Sequence, residues 1–417
     1  MNAPLLFARK RSVNNLKKIT IGLILLGLVL AAVCAASADT AAVPAETGTG
    51  VTVIHAGEWA AQFPDIYASY MANGEDDEVV EYTEEYPFIK TIYEPYGFAT
   101  HYGSARGHYY CVQDLLATGR PHPMANCFTC KTADFTAMTL NDGDSAYSVP
   151  FESIDPTGFD DVGCFTCHAN EPGTTITVTH TYLTAAMGDD FGSVPAETLS
   201  CAQCHVEYYF APDGKMTTLP YTSHASANPD DIYEYYDAMA FSDYTNPRTG
   251  VKQIKAQHPE FETFTGAGSF HGGQFNCATC HMERVTNADG QTYLSHKYVT
   301  PLTSESVRAA GNCAACHGDL EGFVRGRQEQ VMTRVVAIGQ KYETLTDRLA
   351  DAVASGKYTD EELADIRELN RKGQWYWDFV FVENSNGAHN LALATNCLDK
   401  AELFADAALL LLDELEK

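Results

Sequence analysis

The sequence is poor in basic residues. It has 27 lysines and arginines against 55 aspartates and glutamates, which gives a formal net charge of −28 over 417 residues. Such a deficit argues against nucleic acid and against an anionic membrane surface as partners. The acidity is typical of a solubilising surface, so an anionic ligand would need a local cluster of positive groups to overcome it.

The sequence contains only one long apolar run. It extends from Ile19 to Val33, follows a basic stretch that begins at Arg9, and precedes the small residues Ala36-Ser37-Ala38. This order is typical of a signal peptide cleaved after Ala38. Extended to Ala38, the run is about 20 residues, which is just long enough for an uncleaved membrane anchor. Either alternative exports residues 39–417 to the periplasm or to the outer face of the cytoplasmic membrane.

Thirteen cysteines are present, and their spacing is not that of a disulfide framework. Four pairs have the form Cys-x-x-Cys-His, the attachment pattern of c-type haem, in which two thiols bond one porphyrin and the histidine reaches the iron. Zinc sites also use Cys-x-x-Cys pairs, but they have no need of a histidine after each one. The four sites are Cys164/Cys167/His168, Cys201/Cys204/His205, Cys277/Cys280/His281 and Cys313/Cys316/His317.

A fifth pair, Cys127 and Cys130, is followed by Lys131 instead of histidine. Lysine binds iron only as the neutral amine, and histidine would serve a simple electron carrier. The lysine therefore indicates an iron whose other face performs chemistry. The alternative is that this pair forms a disulfide or carries no haem. With its four companions, the pair predicts five covalently bound c haems.

Ten of the 14 histidines lie outside the attachment motifs, which is enough for a second axial ligand on each of four irons. Bis-histidine coordination gives low-spin irons that exchange electrons with little rearrangement. Spacing alone does not pair these histidines. Cys111 and Cys397 are interpreted as buried small hydrophobic residues, and a disulfide between them is left open.

Two further segments are more specific. They read CAQCHVEYYF at residues 201–210 and KAQHP at residues 255–259. Together with the lysine motif and the order of the five motifs, they resemble the pentahaem cytochrome c nitrite reductases that form ammonium. The resemblance covers about residues 106–400. It implies that residues 39–417 form one such domain, mainly α-helical and haem-packed with long C-terminal helices, which dimerises with itself and takes nitrite as its substrate.

The resemblance also implies roles for individual residues. Tyr208 and His258 correspond to the distal tyrosine and histidine beside the lysine-ligated haem. A structural Ca²⁺ would be held by the side chains of Glu207 and Gln257 and by the backbone carbonyls of Tyr208 and Lys255, and oxygen donors suit such a hard cation. The implied distal ligands are His296 for the haem at Cys164, His108 for that at Cys201, His389 for that at Cys277 and His271 for that at Cys313.

One departure from the family pattern concerns its catalytic arginine, which precedes a Thr-Gly pair. Ala117 occupies that position here, and Arg120 follows the glycine instead. Either Arg120 reaches the pocket from the other side of Gly119, or it lies on the surface and the pocket lacks an arginine. The second alternative keeps other small oxidants open as substrates, among them sulfite, tetrathionate and hydroxylamine. A multihaem protein that only transfers electrons is a further alternative.

The apolar run near the N-terminus contains no histidine that could hold a haem within a membrane. Electrons are therefore expected from a partner, either a membrane quinol-oxidising cytochrome or a soluble donor.

Helical periodicity is concentrated in the C-terminal quarter. Apolar residues from Val331 to Ala352 recur every four and three positions, which predicts one long helix that ends at Gly356. Thr359 and Glu362 predict a capping box for the next helix, and a last helix is expected over about 398–412. The seam is either core packing or, as the resemblance implies, a homodimer interface. Residues 39–97 are acidic and are expected to form surface loops.

Overall fold

The computed structural model describes residues 50–101, 103, 106–121, 123–173 and 176–417. The predicted signal or anchor segment, residues 1–38, lies outside these ranges. Within them, no helix combines the length and the apolar composition that crossing a membrane requires.

The described backbone is mainly helical, as the sequence predicts, and its helices are short until the C-terminal quarter. The α-helices are Pro64–Met71, Tyr82–Glu85, Phe88–Tyr93, Gly97–Thr100, Cys111–Ala117, Ala133–Asp142, Cys164–His168, Thr181–Met187, Ala196–Ala202, Pro229–Ala238, Glu260–Thr265, Cys277–His281, Glu305–Ala310, Leu320–Ser355, Ala364–Phe381 and Leu391–Leu415. The 3-10 helices are Ala56–Trp59, Ala72–Glu75, His108–Tyr110, Ala125–Phe128, Gly143–Ser148, Phe151–Ser153, Gly188–Ser193, His224–Ser226 and Cys313–Ala315.

In the described residues, β-structure is confined to three antiparallel pairs of strands. Tyr209 lies opposite Thr218 in the first pair, and Tyr244 lies opposite Gln253 in the second. The third pair is the longest and continues directly from the attachment helix Cys277–His281. The strands are Tyr209–Phe210 with Thr217–Thr218, Tyr244–Thr245 with Lys252–Gln253, and Met282–Thr286 with Thr292–Tyr298.

The helix Leu320–Ser355 confirms the predicted long helix. It ends at Gly356, which adopts the left-handed conformation with φ 62°. Thr359 and Glu362 form the predicted reciprocal hydrogen bonds, but they close a turn, and the next helix begins only at Ala364. The predicted seam residues are all buried: Val331, Val335, Ile338, Tyr342, Leu345, Leu349 and Ala352.

The seam packs inside one chain, because the other two C-terminal helices lie against it. Trp377 Nε1 donates to the carbonyl of Val335 at 2.9 Å, and the Tyr342 hydroxyl donates to the carbonyl of Ala401 at 2.8 Å. Burial of one such large side chain stabilises the fold by roughly 1.5–3 kcal/mol. The last helix begins at Leu391, earlier than predicted, because Asn390 caps it by accepting from the Leu393 amide at 3.1 Å. Assembly into a homodimer stays a prediction.

The segment 88–93 corrects the expectation that residues 39–97 form only surface loops. It is a helix that packs on Leu320–Ser355, with Phe88, Ile89, Ile92 and Tyr93 all buried. Gly339 makes the contact possible, since a Cβ there would lie 2.7 Å from the Phe88 ring. Four apolar residues within six positions were hidden by the acidic composition around them.

Candidate functional site

The cysteines of the five motifs are free thiols that sit on or beside short helical turns. The third motif along the chain lies against two others in space. The Cys130 thiol is in hydrogen-bond contact with Cys204, and the Cys201 thiol is in contact with Cys277. Groups attached at neighbouring motifs would therefore be close enough to exchange electrons.

Cys316 is the most exposed of the motif cysteines. The other nine are partly buried. The reason is local: the motif is a single 3-10 turn, Cys313–Ala315, and its residues Ala314 and Ala315 are exposed as well. Attachment of a haem at Cys316 stays a prediction.

The structure brings together the histidines that the resemblance pairs as axial ligands. Two imidazoles on opposite sides of one iron, with metal–nitrogen bonds of about 2.0 Å, have ring centres about 6 Å apart. The observed spacings therefore fit an iron between each pair. The ring centres are 6.3 Å apart for His168 and His296, 6.1 Å for His271 and His317, and 6.2 Å for His281 and His389.

The ring nitrogens of three of these histidines also fit metal binding. His281 Nδ1 lies 2.9 Å from the carbonyl of Val299, and His296 Nδ1 lies 3.1 Å from the carbonyl of Leu294. Nδ1 of His389 lies 2.7 Å from a carboxylate oxygen. An Nδ1–H that donates to such an acceptor leaves Nε2 as the nitrogen that can bind a metal.

A cleft of about 330 Å³ lies beside the lysine motif. The structure brings all four predicted catalytic residues into its wall, although they come from distant parts of the chain: Lys131, Tyr208, His258 and Arg120. Cys127, Cys130 and Gln257 line it as well. The cleft therefore joins the attachment site, the predicted distal residues and three of the four predicted calcium ligands, which are Tyr208, Lys255 and Gln257.

The pKa values of the two distal residues are shifted in opposite directions. Burial lowers the pKa of His258 to about 4, against the opposing effect of the Glu260 charge. Burial raises the pKa of Tyr208 well above its ordinary value. At neutral pH the imidazole is uncharged and the phenol keeps its proton, so both side chains can donate a hydrogen bond to an anion.

Arg120 lies in the wall of the cleft and is half-buried. Its Nε donates to the carbonyl of His101 at 3.1 Å, and its guanidinium carbon lies 4.7 Å from the centre of the Phe98 ring. Its charge reaches the site, because it lowers the pKa values of both Tyr208 and His258. This placement favours the first of the two alternatives for Arg120, in which its charge acts within the pocket.

His205 lies 6.3 Å, between ring centres, from two other histidines, His108 and His258. Since His258 belongs to the cleft, His108 is the remaining candidate for the opposite face of the iron at Cys201. Burial lowers the pKa of His108 to about 3, with smaller contributions from the positive charges of His205 and Lys131. The neutral ring is the form that binds a metal.

The four predicted calcium ligands come together behind the cleft. The Glu207 carboxylate is fully buried. It accepts from the backbone amide of Gln257 at 2.7 Å and from the Tyr236 hydroxyl at 2.9 Å. Gln257 Nε2 lies 2.8 Å from the carbonyl of Lys255. Burial raises the pKa of Glu207 well above its ordinary value, so this carboxylate must be protonated or compensated by a cation. The oxygen donors fit Ca²⁺.

The described residues contain no cluster of three or more histidine, cysteine, aspartate or glutamate side chains suited to a metal ion. The expected calcium set is consistent with that finding, because Glu207 is its only member of those types. The backbone carbonyls of Tyr208 and Lys255 and the amide of Gln257 would supply the other oxygens.

Sequence reasoning missed His180. Its Nε2 lies 2.9 Å from the carbonyl of Thr129, inside the lysine motif, and its Nδ1 lies 3.1 Å from Gln203 Oε1, inside the motif that begins at Cys201. The ring thus lies between two attachment motifs and donates to one of them from the nitrogen that carries its proton. Cys111 and Cys397 are buried free thiols, so no disulfide joins them.

The fold and the site define a multihaem c-type cytochrome. The chain belongs to the cytochrome c552 family, whose family model matches residues 55–417. It is similar to the solved catalytic subunit (NrfA) of cytochrome c nitrite reductase from Desulfovibrio desulfuricans ATCC 27774, a structure described for its two calcium sites. The identity is 27%, 86% of each chain is covered, and the TM-score is 0.75.

Two larger cytochromes are more distant. The outer cell wall cytochrome OcwA is 20% identical over 72% of this chain and 48% of its own, with a TM-score of 0.40. The undecaheme cytochrome from the S-layer of Carboxydothermus ferrireducens is 17% identical over 73% of this chain and 41% of its own, with a TM-score of 0.38. At these TM-scores neither protein carries an argument about the function of this chain.

Proposed function

We propose that this chain is a cytochrome c nitrite reductase that forms ammonium. The reaction consumes one nitrite, six electrons and eight protons, and it releases one ammonium and two water molecules. The observation that carries the proposal is the cleft in which Lys131, Tyr208, His258 and Arg120 meet. Membership of the cytochrome c552 family and the similarity to the Desulfovibrio enzyme support the same reaction.

Five c haems held by the attachment motifs would supply the electrons, and the iron on Lys131 would supply the site at which nitrite is reduced. The fit of these residues to haem rests on the free thiols and on the spacing of the paired imidazoles. A lysine at the fifth motif, with a cleft next to it, distinguishes that centre from the four histidine centres.

The chain's own part begins with binding the anion. The protein as a whole repels nitrite, since its formal net charge is −28. Inside the cleft the guanidinium of Arg120 supplies positive charge, and its field extends to Tyr208 and His258. Arg106 lines the same cleft, but its Nε donates to Asp114 at 2.9 Å, which neutralises its charge locally.

The second part is donation of hydrogen bonds to the oxygens that leave. His258 is a neutral imidazole, and its Nδ1 is buried with no hydrogen-bond partner among the described residues. Such a nitrogen is available to a bound anion, and donors already aimed at developing negative charge stabilise the transition state. Tyr208 keeps its phenol proton and acts as the second donor.

Ca²⁺ would fix the positions of these donors. Its proposed ligands belong to the two segments that also carry Tyr208 and His258, residues 207–208 and 255–258. An ion held between them would keep both side chains at the cleft. We further propose that the protein acts outside the cytoplasm as a homodimer and takes its electrons from a quinol-oxidising membrane cytochrome or a soluble donor.

The proposal is tested by His258→Asn, with His224→Asn as the matched control. His224 is half-buried, packs against Phe261 and lies outside the cleft. Loss of one positioned donor typically costs about 10²–10³ in kcat. We expect that loss in nitrite turnover by His258→Asn with the haem content unchanged, and near wild-type turnover by His224→Asn. Full activity of His258→Asn would contradict the assignment of the cleft.

A further inference from the structure

One predicted axial histidine meets a buried carboxylate behind its ring. Nδ1 of His389 lies 2.7 Å from Oε1 of Glu383, a carboxylate whose side chain is 3% exposed. His281, on the other side of the same site, meets the backbone carbonyl of Val299, and His296 meets that of Leu294. A buried anion therefore faces the His389 ring, whereas neutral carbonyls face the rings of His281 and His296.

The carboxylate is held in place by a short closed network. Its second oxygen, Oε2, accepts from the Ser385 hydroxyl at 2.6 Å, and Ser385 Oγ in turn accepts from the backbone amide of His389 at 2.9 Å. The turn that makes this possible has two left-handed residues, Asn386 at φ 54° and Gly387 at φ 86°. A Cβ on Gly387 would lie 2.7 Å from Val331, so the turn is also pressed against the long helix.

A second carboxylate near an axial histidine is placed less favourably. Oε2 of Glu260 lies 3.7 Å from His205 Nδ1, beyond hydrogen-bond distance. The other oxygen of Glu260 accepts from Nδ2 of Asn384 and, at 3.3 Å, from its backbone amide. The contact between His389 and Glu383 is therefore shorter than the one between His205 and Glu260.

A carboxylate that accepts from an imidazole N–H makes the opposite nitrogen a stronger donor to a metal. A more basic axial ligand stabilises the ferric form over the ferrous form and so lowers the reduction potential. Backbone carbonyls do the same more weakly, because they carry no net charge.

We propose that Glu383 lowers the reduction potential of the haem attached at Cys277 and Cys280, by accepting the Nδ1 proton of His389. The proposal rests on the haem attachment proposed above and goes beyond the reaction itself. The site lies between two others, since Cys277 contacts Cys201 and Cys280 lies near Cys313. Its potential therefore sets how easily electrons pass between those neighbours.

The test is a potentiometric titration of the purified holoprotein, in which each low-spin haem is followed by its optical and electron paramagnetic resonance signals. Glu383→Gln keeps the size and the hydrogen-bond acceptor but removes the charge. We expect one reduction step to shift upward by about tenfold in its equilibrium constant, which is about 59 mV for one electron, while the other steps stay in place.

Two further variants make the result specific. Ser385→Ala removes the hydroxyl that also donates to the Glu383 carboxylate. The carboxylate then becomes a stronger acceptor for His389, so the same reduction step should shift downward. Glu361→Gln removes an equal charge at an exposed position just before the start of the helix Ala364–Phe381. This variant should leave that reduction step in place. If Glu383→Gln fails to mature, the direction of the Ser385→Ala shift decides.

Three results would overturn the proposal. One is a Glu383→Gln protein with all its haems whose steps are unmoved. The second is a shift of the same size in Glu361→Gln, and the third is a wild-type protein without haem at Cys277. The titration is independent of nitrite turnover, so a wild-type protein that makes no ammonium would refute the proposed function and leave this proposal standing.

Discussion

Lys255 and Asp378 form an ion pair inside the protein, with Nζ 3.0 Å from both carboxylate oxygens and side chains that are 4% and 0% exposed. Asp378 belongs to the helix Ala364–Phe381 and also accepts from the backbone amide of Ala256 at 2.8 Å. The pair thus fastens residues 255–258, which include His258, to the C-terminal core. The carbonyl of Lys255, which accepts from Gln257 Nε2 at 2.8 Å, belongs to the predicted calcium site.

Asp378→Asn is expected to destabilise the protein strongly. It leaves the Lys255 ammonium buried without its counter-charge, and loss of one partner of a buried pair costs about 3–5 kcal/mol. Urea unfolding of the holoprotein measures the change. The matched control is Asp230→Asn, whose partner Lys400 lies at the surface, where an ion pair is worth about 0–1 kcal/mol. Equal losses of stability in the two variants would show that the buried ion pair does not hold residues 255–258 to the C-terminal core.

Arg120→Ala is expected to lower kcat/KM for nitrite by about 10- to 100-fold, since a hydrogen bond to a charged group is worth about 1.5–3 kcal/mol. Arg120→Lys should recover part of the loss, because it restores the charge without the planar fork. Steady-state kinetics over a range of nitrite concentrations gives kcat/KM for each of the two variants. Unchanged kcat/KM in Arg120→Ala would contradict this role for Arg120 and leave Arg106, which is paired with Asp114, as the other arginine of the cleft.

Removal of calcium is expected to lower turnover while the haems stay attached. The ion would compensate the buried Glu207 carboxylate, whose pKa is raised well above its ordinary value by burial. A chelator should therefore reduce both thermal stability and kcat, and added Ca²⁺ should restore them. Glu207→Gln should show lower activity that added Ca²⁺ does not restore. Metal analysis that finds no calcium in the active holoprotein would contradict this site.

The attachment of residues 55–63 through His55 and Asp134 is expected to weaken as the pH rises. Burial lowers the pKa of His55, but the hydrogen bond to Asp134 at 3.0 Å and the charges of Asp134, Asp160 and Glu58 outweigh it and raise the pKa above 6.5. A raised pKa means that the contribution is complete below the unfolded value and is lost as the pH passes the folded value.

Hydrogen exchange of residues 55–63 measures this effect. We expect more protection at about pH 5.5 than at about pH 8.5, on either side of an ordinary histidine pKa. His55→Gln should abolish the difference, because glutamine does not titrate. Protection that is independent of pH in the wild type would show that Asp134 does not control this segment.

The sequence predicts the features that depend on local spacing. Cysteine motifs, the seam from Val331 to Ala352 and the stop at Gly356 each involve residues within a few helical turns, so a pattern in the chain suffices. Pairs such as His168 with His296 are far apart in the chain, and only the family resemblance suggested them. No local rule connects a histidine on a strand with an attachment helix.

Other features were missed for physical reasons. The helix Phe88–Tyr93 lies in an acidic stretch whose composition suggests solvent exposure, yet its apolar face is buried. The exposure of Cys316 depends on what covers its turn, and a motif spacing carries no information about that. His180 looks like any other histidine until the two motifs that it joins are seen together. Asp378 did leave a signal, since it is an acidic residue within an apolar run, and such a residue in the core needs a partner.

The most direct test of the central claim is a balance of reactants and products. Purified holoprotein is supplied with reduced viologen, a one-electron donor, and with nitrite, and the oxidised viologen and the ammonium are counted. The account predicts six viologens oxidised and one ammonium formed for each nitrite consumed. Absence of turnover with all five haems present, or turnover of sulfite or tetrathionate but not of nitrite, would contradict it.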